Sequence, residues 1–213
     1  MKFEVEFYET ADGKTPVEDF LWNLESKMRA KLVNLMEVLE DKGTDLREPY
    51  TKHLDDGIFE LRCKLGSNLT RALFFFYIEG KIIITNGFVK KTPKTPPKEI
   101  LLAKREEKII CIESVKKMKS LRQFKTECMR DPEFAKAYEE MQPEFNIMRA
   151  IIEARTANNL TQKKLAERTG IAQTEISRIE NGSRNPSIKL LQRLADGMGM
   201  VLNVSFTPKK AII

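Results

Sequence analysis

The N-terminal half of the chain changes between two hydrophobic periods. Residues 2–8 alternate apolar and polar positions, which predicts a half-buried strand. Residues 27–41 place apolar side chains every three or four positions, which predicts a helix. Between them a shorter helix is expected to begin at Thr15, with Pro16 in its first turn and Glu18 completing a capping box.

Three strand-like runs follow these helices. Residues 57–65, 69–78 and 81–89 are rich in β-branched and aromatic side chains, and short turns separate them. Residues 97–108 return to helical spacing and are predicted to form a closing helix. The order β-α-α-β-β-β predicts an α+β fold in which helices pack on an antiparallel sheet.

The C-terminal half has a different pattern, and residues 161–182 (TQKKLAERTGIAQTEISRIENG) carry its strongest signal. This stretch predicts two short helices joined at Gly170, a residue type that suits the left-handed position at a helix end. Ile176 and Ile179 lie on one side of the second helix, opposite four polar side chains. These are Gln173, Thr174, Ser177 and Arg178. The pattern predicts a helix-turn-helix whose second helix is free to enter a DNA major groove.

Further elements are expected on both sides of this motif. Residues 144–158 form an amphipathic helical pattern, and another helix is predicted to follow a cap at Ser187 or Asn185. Residues 200–206 alternate as a short strand. We expect this strand to pair with its twin in a homodimer that reads a palindromic operator.

Charge is divided unevenly between the halves. Residues 1–110 hold 19 of the 37 Lys and Arg residues and 19 of the 31 Asp and Glu residues. The net charge of +6 therefore lies entirely in residues 111–213. An excess of positive charge beside a helix-turn-helix is what DNA binding requires.

The remaining composition narrows the class of protein. No apolar run approaches the length of a membrane span, and the N-terminus has no signal-peptide core. The three cysteines are widely spaced without metal-ligand spacing, so we expect reduced thiols, a cytoplasmic protein, no metal and no cofactor.

The junction between the halves indicates a fusion. From Met118 the sequence looks like the start of a separate small protein, so we expect domains at 1–110 and 144–213 joined by residues 111–143. Asp131-Pro132 predicts the start of a helix to about Met141. This helix is expected to pack either on the N-terminal half or on the helix-turn-helix domain.

The strands of the first half resemble a known family. The strings FELRCKL, TRALFFF and GFVKKTPKTP, within residues 3–108, resemble RelE/HigB-like toxins of the phage-derived Gp49-like branch. The resemblance implies a ribosome-dependent endoribonuclease that cuts mRNA during translation.

The residues offer a chemistry that fits this expectation. RNA cleavage by its own 2′-OH needs a proton acceptor, cations for the phosphorane and a donor for the leaving oxygen. A single histidine excludes a two-histidine mechanism within one subunit. We predict Arg62 and Arg71 on the phosphate, Lys90 and Lys91 as proton-transfer and phosphate groups, and Thr92 as a positioning group. Lys94 is a predicted RNA contact.

Each assignment has a structural alternative. The alternative role of Arg62 is an ion pair with Glu60 or with an acid on a neighbouring strand, and Arg71 inside an apolar strand should either meet a carboxylate or line a site. The lysine-rich segment after residue 89 also fits a solvated loop. His53 fits a surface residue better than a catalyst.

The C-terminal motif resembles the Xre/Cro-like family and the HigA-type antitoxins within it. By that pattern Gln162 lies near a phosphate, while the polar face of the second helix reads bases. Lys163, Arg184 and Asn185 are expected on backbone phosphates, which position the protein without specifying sequence.

Together these patterns predict a toxin–antitoxin pair in one chain. The second half would neutralise the first and repress its own operon by binding operator DNA. Neutralisation by covering the basic site and neutralisation by excess size both remain open. One alternative is a DNA-binding regulator whose N-terminal half is an inactive interaction module. A second alternative is that the first half is an enzyme and that the C-terminal helices only neutralise it, without binding operator DNA.

Overall fold

The structure is a computed structural model that describes residues 3–91, 94–112, 118–180, 182 and 184–206. The chain divides into two compact units, Met1–Phe145 and Asn146–Ile213.

The first unit contains a six-stranded sheet. Its strands are β1 (Glu4–Phe7), β2 (Thr51–Asp55), β3 (Ile58–Leu65), β4 (Asn68–Tyr77), β5 (Lys81–Val89) and β6 (Lys119–Ser120). Their order in the sheet is β2-β3-β4-β5-β1-β6. The α+β fold and the three central strands are confirmed. β1 nevertheless pairs parallel to β5, so the prediction of a purely antiparallel sheet is wrong at that one pair. The long connection through two helices and the β2–β5 meander provides the crossover that parallel neighbours need.

Helices cover both faces of the central strands. They are α1 (Pro16–Trp22), α2 (Ser26–Lys42), α3 (Pro97–Ile112), α4 (Leu121–Cys128) and α5 (Pro132–Ala157). On one face, Met28 of α2 contacts Cys63 and Thr70. On the other, Ala103 of α3 packs in a cluster with Leu73. Burial on both faces explains why these strands are almost continuously apolar.

The predicted capping box at the start of α1 is wrong. Pro16 does begin the helix, but the Thr15 side chain makes no capping hydrogen bond. Its backbone angles, φ −117° and ψ 89°, depart from those of Ser120, which has φ −76° and ψ 153°. Ser120 forms a full capping box with Gln123 at the start of α4. The extended backbone of an N-cap residue is what aims its hydroxyl at the free N–H groups.

Residues 118–145 pack on the N-terminal half, which confirms the first of the two alternatives for the junction helix. Phe124 of α4 contacts the rings of Phe7 and Trp22 edge-on, each at 5.4 Å between centroids. Tyr138 of α5 donates a hydrogen bond of 2.5 Å to Glu37 of α2. The short strand β6 pairs antiparallel with β1 and so extends the sheet.

Two further contacts reinforce this junction. Arg29 of α2 forms a 2.7 Å ion pair with Asp131, and its guanidinium lies over the Trp22 ring at 4.6 Å. Asp131 also accepts a hydrogen bond from the Glu133 backbone, as its predicted capping role requires.

Two separate helices were predicted between residues 131 and 158, but α5 is a single helix with Pro143 inside it. Proline removes one backbone hydrogen bond from a helix, which is why the sequence predicts a break. Tyr138 and Phe145 on either side of it are buried, so packing outweighs the lost bond.

The second unit contains the predicted helix-turn-helix. Its helices are α6 (Gln162–Thr169), α7 (Gln173–Glu180) and α8 (Ile188–Gly197). Gly170 ends α6 at φ 66°, and Ser187 caps α8 through the Leu190 backbone. Leu165 and Ile176 are fully buried in the core of this unit.

The short strand predicted at 200–206 is not formed in the single chain. A strand requires hydrogen bonds to a neighbour, and the partner expected for this one was a second copy.

Candidate active site and nucleic-acid interface

A buried carboxylate, Glu60 of β3, lies at the centre of the predicted catalytic residues. The Arg62 Nε donates a 2.9 Å hydrogen bond to Glu60 Oε1, and the Arg71 Nε lies 3.2 Å from the same oxygen. The Thr95 hydroxyl donates to the other oxygen, Oε2. Glu60 and Arg62 are two residues apart on one strand, and Arg62 pairs with Arg71 in the β3–β4 register. Strand alternation therefore brings all three side chains to one face of the sheet.

Lys90 extends this group at the end of β5. Its backbone N–H donates a 2.8 Å hydrogen bond to the Leu69 carbonyl, which fixes the chain beside β4. Burial lowers the pKa of Lys90, and the charges of Arg71, Arg62 and Lys52 lower it further against the opposing charge of Glu60. A lysine with a lowered pKa is a better proton acceptor at neutral pH.

Glu60 itself stays ionised. Burial by itself would raise the pKa of this carboxyl, but hydrogen bonds from Thr95 and Arg62 lower it below its ordinary value. The charges of Arg71 and Lys90 act in the same direction. Burial also lowers the pKa of Arg71, whose side chain is 9% exposed, while Glu60 opposes that shift.

The structure thus brings together Arg62, Arg71 and Lys90 around Glu60. Lys91 and Lys94 are exposed beyond them, and Thr92 lies outside the described residues. Both arginines are ion-paired to Glu60, as the structural alternative predicted, and together with Lys90 they form one cationic surface. Their role on a phosphate stays a prediction.

Sequence reasoning named Glu60 only as a possible partner of Arg62. The available signal was Arg71, because a guanidinium inside an apolar strand needs a carboxylate partner. Choosing that carboxylate needs the β3–β4 register, which periodicity does not supply.

His53 lies elsewhere. It is exposed on β2 and contacts Phe59 edge-on at 5.0 Å between ring centroids, on the sheet face opposite Glu60. In the part of the chain that the structure describes, no group of three or more His, Cys, Asp or Glu residues is arranged to hold a metal ion.

The helix-turn-helix presents the predicted polar face. Gln173, Thr174 and Arg178 are exposed on α7, and Ser177 is partly exposed. This face is fixed because Ile176 and Ile179 anchor the opposite side of the helix in the core.

The residues predicted to contact backbone phosphates differ in how they are held. Lys163 and Asn185 are exposed, while Arg184 forms a 3.0 Å ion pair with Glu175. The Gln162 Nε2 donates a 2.8 Å hydrogen bond to Glu180, which places this side chain against the fold.

Glu180 was not singled out from the sequence. It is 1% exposed and receives two hydrogen bonds from Arg155, from Nε at 2.7 Å and from a terminal nitrogen at 3.2 Å. This buried fork ties the helix before the motif to the end of α7.

Among the described residues, no helix is both long and apolar enough to cross a membrane. Residues 19–108 match the family model described as phage-derived protein Gp49-like (DUF891). Residues 151–201 match the family model described as helix-turn-helix. A search of the curated proteins found no match for the chain. The Gp49-like domain belongs to the RelE/HigB toxin superfamily, whose members are ribonucleases. The chain therefore carries a Gp49-like toxin domain followed by an Xre-family helix-turn-helix domain, which is the arrangement of a toxin–antitoxin fusion.

Proposed function

We propose that the first half is a ribosome-dependent mRNA endoribonuclease. The observation that carries this proposal is the gathering of Arg62 and Arg71 beside Lys90, whose pKa is lowered. Two guanidiniums fixed by a buried carboxylate offer donors for a phosphate and for the charge that develops on it.

The reaction follows from these groups. Neutral Lys90 accepts the proton of the ribose 2′-OH, and the 2′-oxygen forms a bond to the adjacent phosphorus. The bond from phosphorus to the 5′-oxygen breaks, and the Lys91 ammonium protonates that leaving oxygen. The products are a 2′,3′-cyclic phosphate and a free 5′-OH. Thr92 and Lys94 would position the strand.

The test is mRNA cleavage in a translating extract. A full-length variant with Glu37→Arg loses the contacts of Lys125 and Tyr138 to α2, and we expect it to loosen residues 118–145 and to cleave mRNA. Adding Lys90→Ala or Arg71→Ala should abolish that cleavage. Adding Lys136→Ala, an exposed lysine of α5, should leave it intact. No cleavage by a loosened, folded variant with ribosomes present would overturn the enzyme proposal.

We propose that the second half restrains the first and represses its own operon. Residues 118–145 pack on α1, α2 and β1, whereas the Arg62 and Arg71 side chains bond to Glu60 and to the Thr70 carbonyl within the sheet. For this segment the geometry supports restraint by size on the ribosome over restraint by covering the cationic surface. The added bulk blocks entry while it is held against α1, α2 and β1, and a segment loosened from these elements is free to move aside. Because ribosomes and operator DNA are both cytoplasmic in bacteria, the proposed place of action is the cytoplasm.

Operator binding by α7 is the DNA-binding part of this proposal. Arg178→Ala and Gln173→Ala should each weaken specific binding by about 1–3 kcal/mol. Lys163→Ala should weaken specific and non-specific binding alike and reduce the salt dependence. Lys189→Ala on α8 is the matched control. Specific binding that survives the α7 substitutions would contradict base readout by α7, whereas no operator binding by the full chain would leave the second half with only a neutralising role.

A homodimer belongs to the same proposal. Val201 and Phe206 are 93% and 98% exposed in a segment with strand-like alternation, which a second copy would cover. Sedimentation of the full chain and of Val204→Asp measures the oligomeric state. An unchanged state in the variant would argue against dimerisation through this segment.

One observation favours the alternative of an inactive N-terminal module. Both arginines already have a carboxylate partner, as they would in a purely structural cluster. An inactive module predicts operator binding with no cleavage from any loosened variant.

A further inference from the structure

A groove of about 470 Å³ opens at the β2 edge of the sheet, on the face opposite Glu60. Phe59 and Phe76 contribute to its floor, and Arg47, Lys52 and His53 stand around it. Its size falls within the range of about 300–1,000 Å³ that is usual for small-molecule sites.

The groove is built from aromatic rings. Phe59 stacks on Phe74 at 5.5 Å between centroids and meets Phe76 edge-on at 5.3 Å. His53, which is exposed, lies edge-on to Phe59. Phe74 is fully buried, so it fixes the other rings in place. A rigid aromatic surface with an exposed imidazole is suited to stacking with a flat ring.

The rim carries more positive than negative charge. Arg47 and Lys52 are both exposed, and neither forms an ion pair with a described carboxylate, while Glu48 adds one negative charge beside them. Aromatic rings flanked by unpaired cations are the combination that binds single-stranded nucleic acid, because bases stack and phosphates meet cations.

Lys52 connects the groove with the cationic surface on the other face. It pairs with Glu60 in the β2–β3 register, and its charge contributes to the lowered pKa of Lys90. The edge strand β2 that carries Lys52 is the direct neighbour of β3, which carries Glu60 and Arg62, and neighbouring strands lie about 4.8 Å apart.

We propose that this groove binds a base of the RNA strand next to the cleaved phosphate. The base stacks against His53 and Phe59, and the phosphate that crosses the β2 edge meets Lys52 and Arg47. The proposal rests on the proposed ribonuclease activity, because it takes RNA as the strand bound at Arg62 and Arg71. It makes these groove residues determinants of RNA affinity and sequence preference.

The test measures binding separately from cleavage. The probe is a short fluorescent single-stranded RNA with a 2′-deoxy sugar at the cleaved position, and its partner probe lacks one base next to that position. With the full chain carrying Glu37→Arg, we expect His53→Ala and Phe59→Leu to weaken binding of the complete probe on the order of tenfold or more. The same variants should bind the abasic probe as the parent does.

Separate control variants test the effect of charge on RNA binding and the effect of each substitution on stability. Arg47→Ala should weaken binding of both probes and reduce their salt dependence, whereas Lys64→Ala, an exposed lysine of β3, should change neither. Because Phe59→Leu alters packing, its thermal unfolding is measured beside His53→Ala, a surface change.

The outcomes separate this proposal from the enzyme proposal. If cleavage proceeds and His53→Ala binds both probes like the parent, the groove proposal is wrong and the enzyme proposal stands. If base-dependent binding is lost in His53→Ala but no variant cleaves mRNA, the groove binds RNA and the enzyme proposal falls. If neither probe binds while a peptide probe does, the groove is a protein-binding site and the proposal is overturned.

Discussion

Replacing Glu60 by glutamine removes the negative charge that holds the cationic cluster together. Arg62 and Arg71 pair with each other across β3 and β4, so without the carboxylate two positive charges face one another. The amide keeps the size of the side chain, and the change therefore tests charge with little effect on packing.

The size of the stability loss in Glu60→Gln follows from how deeply the ion-paired groups are buried. Glu60 is fully buried and the Arg71 side chain is 9% exposed, and removing one partner of such a buried pair costs about 3–5 kcal/mol. The Arg62 side chain is 24% exposed, so water screens its pair with Glu60 and that pair adds less. A loss of about 3 kcal/mol in a unit of this size lowers Tm by roughly 6–12 °C.

The loss has a defined pH dependence. The pKa of Glu60 is lowered from an ordinary value of 4.5, so its stabilisation is complete above that pH and is lost as the pH falls through the lower folded value. The difference in Tm between parent and Glu60→Gln should therefore be full at pH 7 and shrink in acid. Glu60 also raises the pKa of Lys90. Adding Glu60→Gln to a loosened variant should therefore move its pH profile of cleavage to lower pH.

Thermal unfolding of the full chain between pH 3 and pH 7 measures the effect. The control is Asp12→Asn, which removes an exposed pair with Lys14 and should not change Tm measurably. Arg71→Met combined with Glu60→Gln should recover part of the loss, because the buried cation is then gone. An unchanged Tm for Glu60→Gln at pH 7 would refute the idea that this carboxylate holds the cluster.

Three further changes test the fold around the site. Phe124→Ala should destabilise the full chain by about 3–5 kcal/mol in chemical unfolding, because its ring is fully buried; a loss below 1 kcal/mol would contradict the packing. Gly170→Ala should cost about 1 kcal/mol or more and weaken operator binding only through unfolding, since φ is 66° there; a neutral change in Tm would argue against that turn. Burial raises the pKa of Glu106 to about 8, so this group favours the folded state least above that pH, and stability should fall as pH rises from 4.5 to 8. Glu106→Gln should remove that fall, by a few kcal/mol, and an identical Tm profile from pH 5 to 8 would refute it.

Periodicity predicted the elements whose burial is decided locally. The helix α2 and the strands β3 to β5 have apolar patterns long enough to fix their type, and Gly170 adds a helix-end signal between α6 and α7. The strand β2 (TKHLD) was missed because an edge strand with exposed side chains has little apolar alternation.

The other missed features depend on contacts distant in sequence. β6 has two residues and exists only because β1 offers an edge to pair with. The continuity of α5 through Pro143 depends on burial against other elements, which no local rule contains. The catalytic prediction met the same limit: Arg71 indicated a carboxylate, but only the strand register identifies Glu60.

The two edges of the sheet are covered differently, and this decides whether the activity of the first half is better tested in a truncated chain or in the full chain. At one edge, β6 pairs with β1, and Phe124 covers the rings of Phe7 and Trp22. Cutting the chain before β6 would expose that edge and those rings together, and exposed edges with apolar surface promote aggregation. An inactive truncated toxin would thus be ambiguous between absent chemistry and a damaged fold.

At the other edge, β2 presents Lys52 and the aromatic groove, and residues 118–145 pack elsewhere in the unit. A substitution at Glu37 weakens the attachment of α4 and α5 while it leaves every residue of the Glu60 cluster and of the β2 edge in place. Loss of activity when Lys90→Ala is added to such a variant is then attributable to chemistry. The comparison within the full chain is for this reason the stronger test of what the first half does.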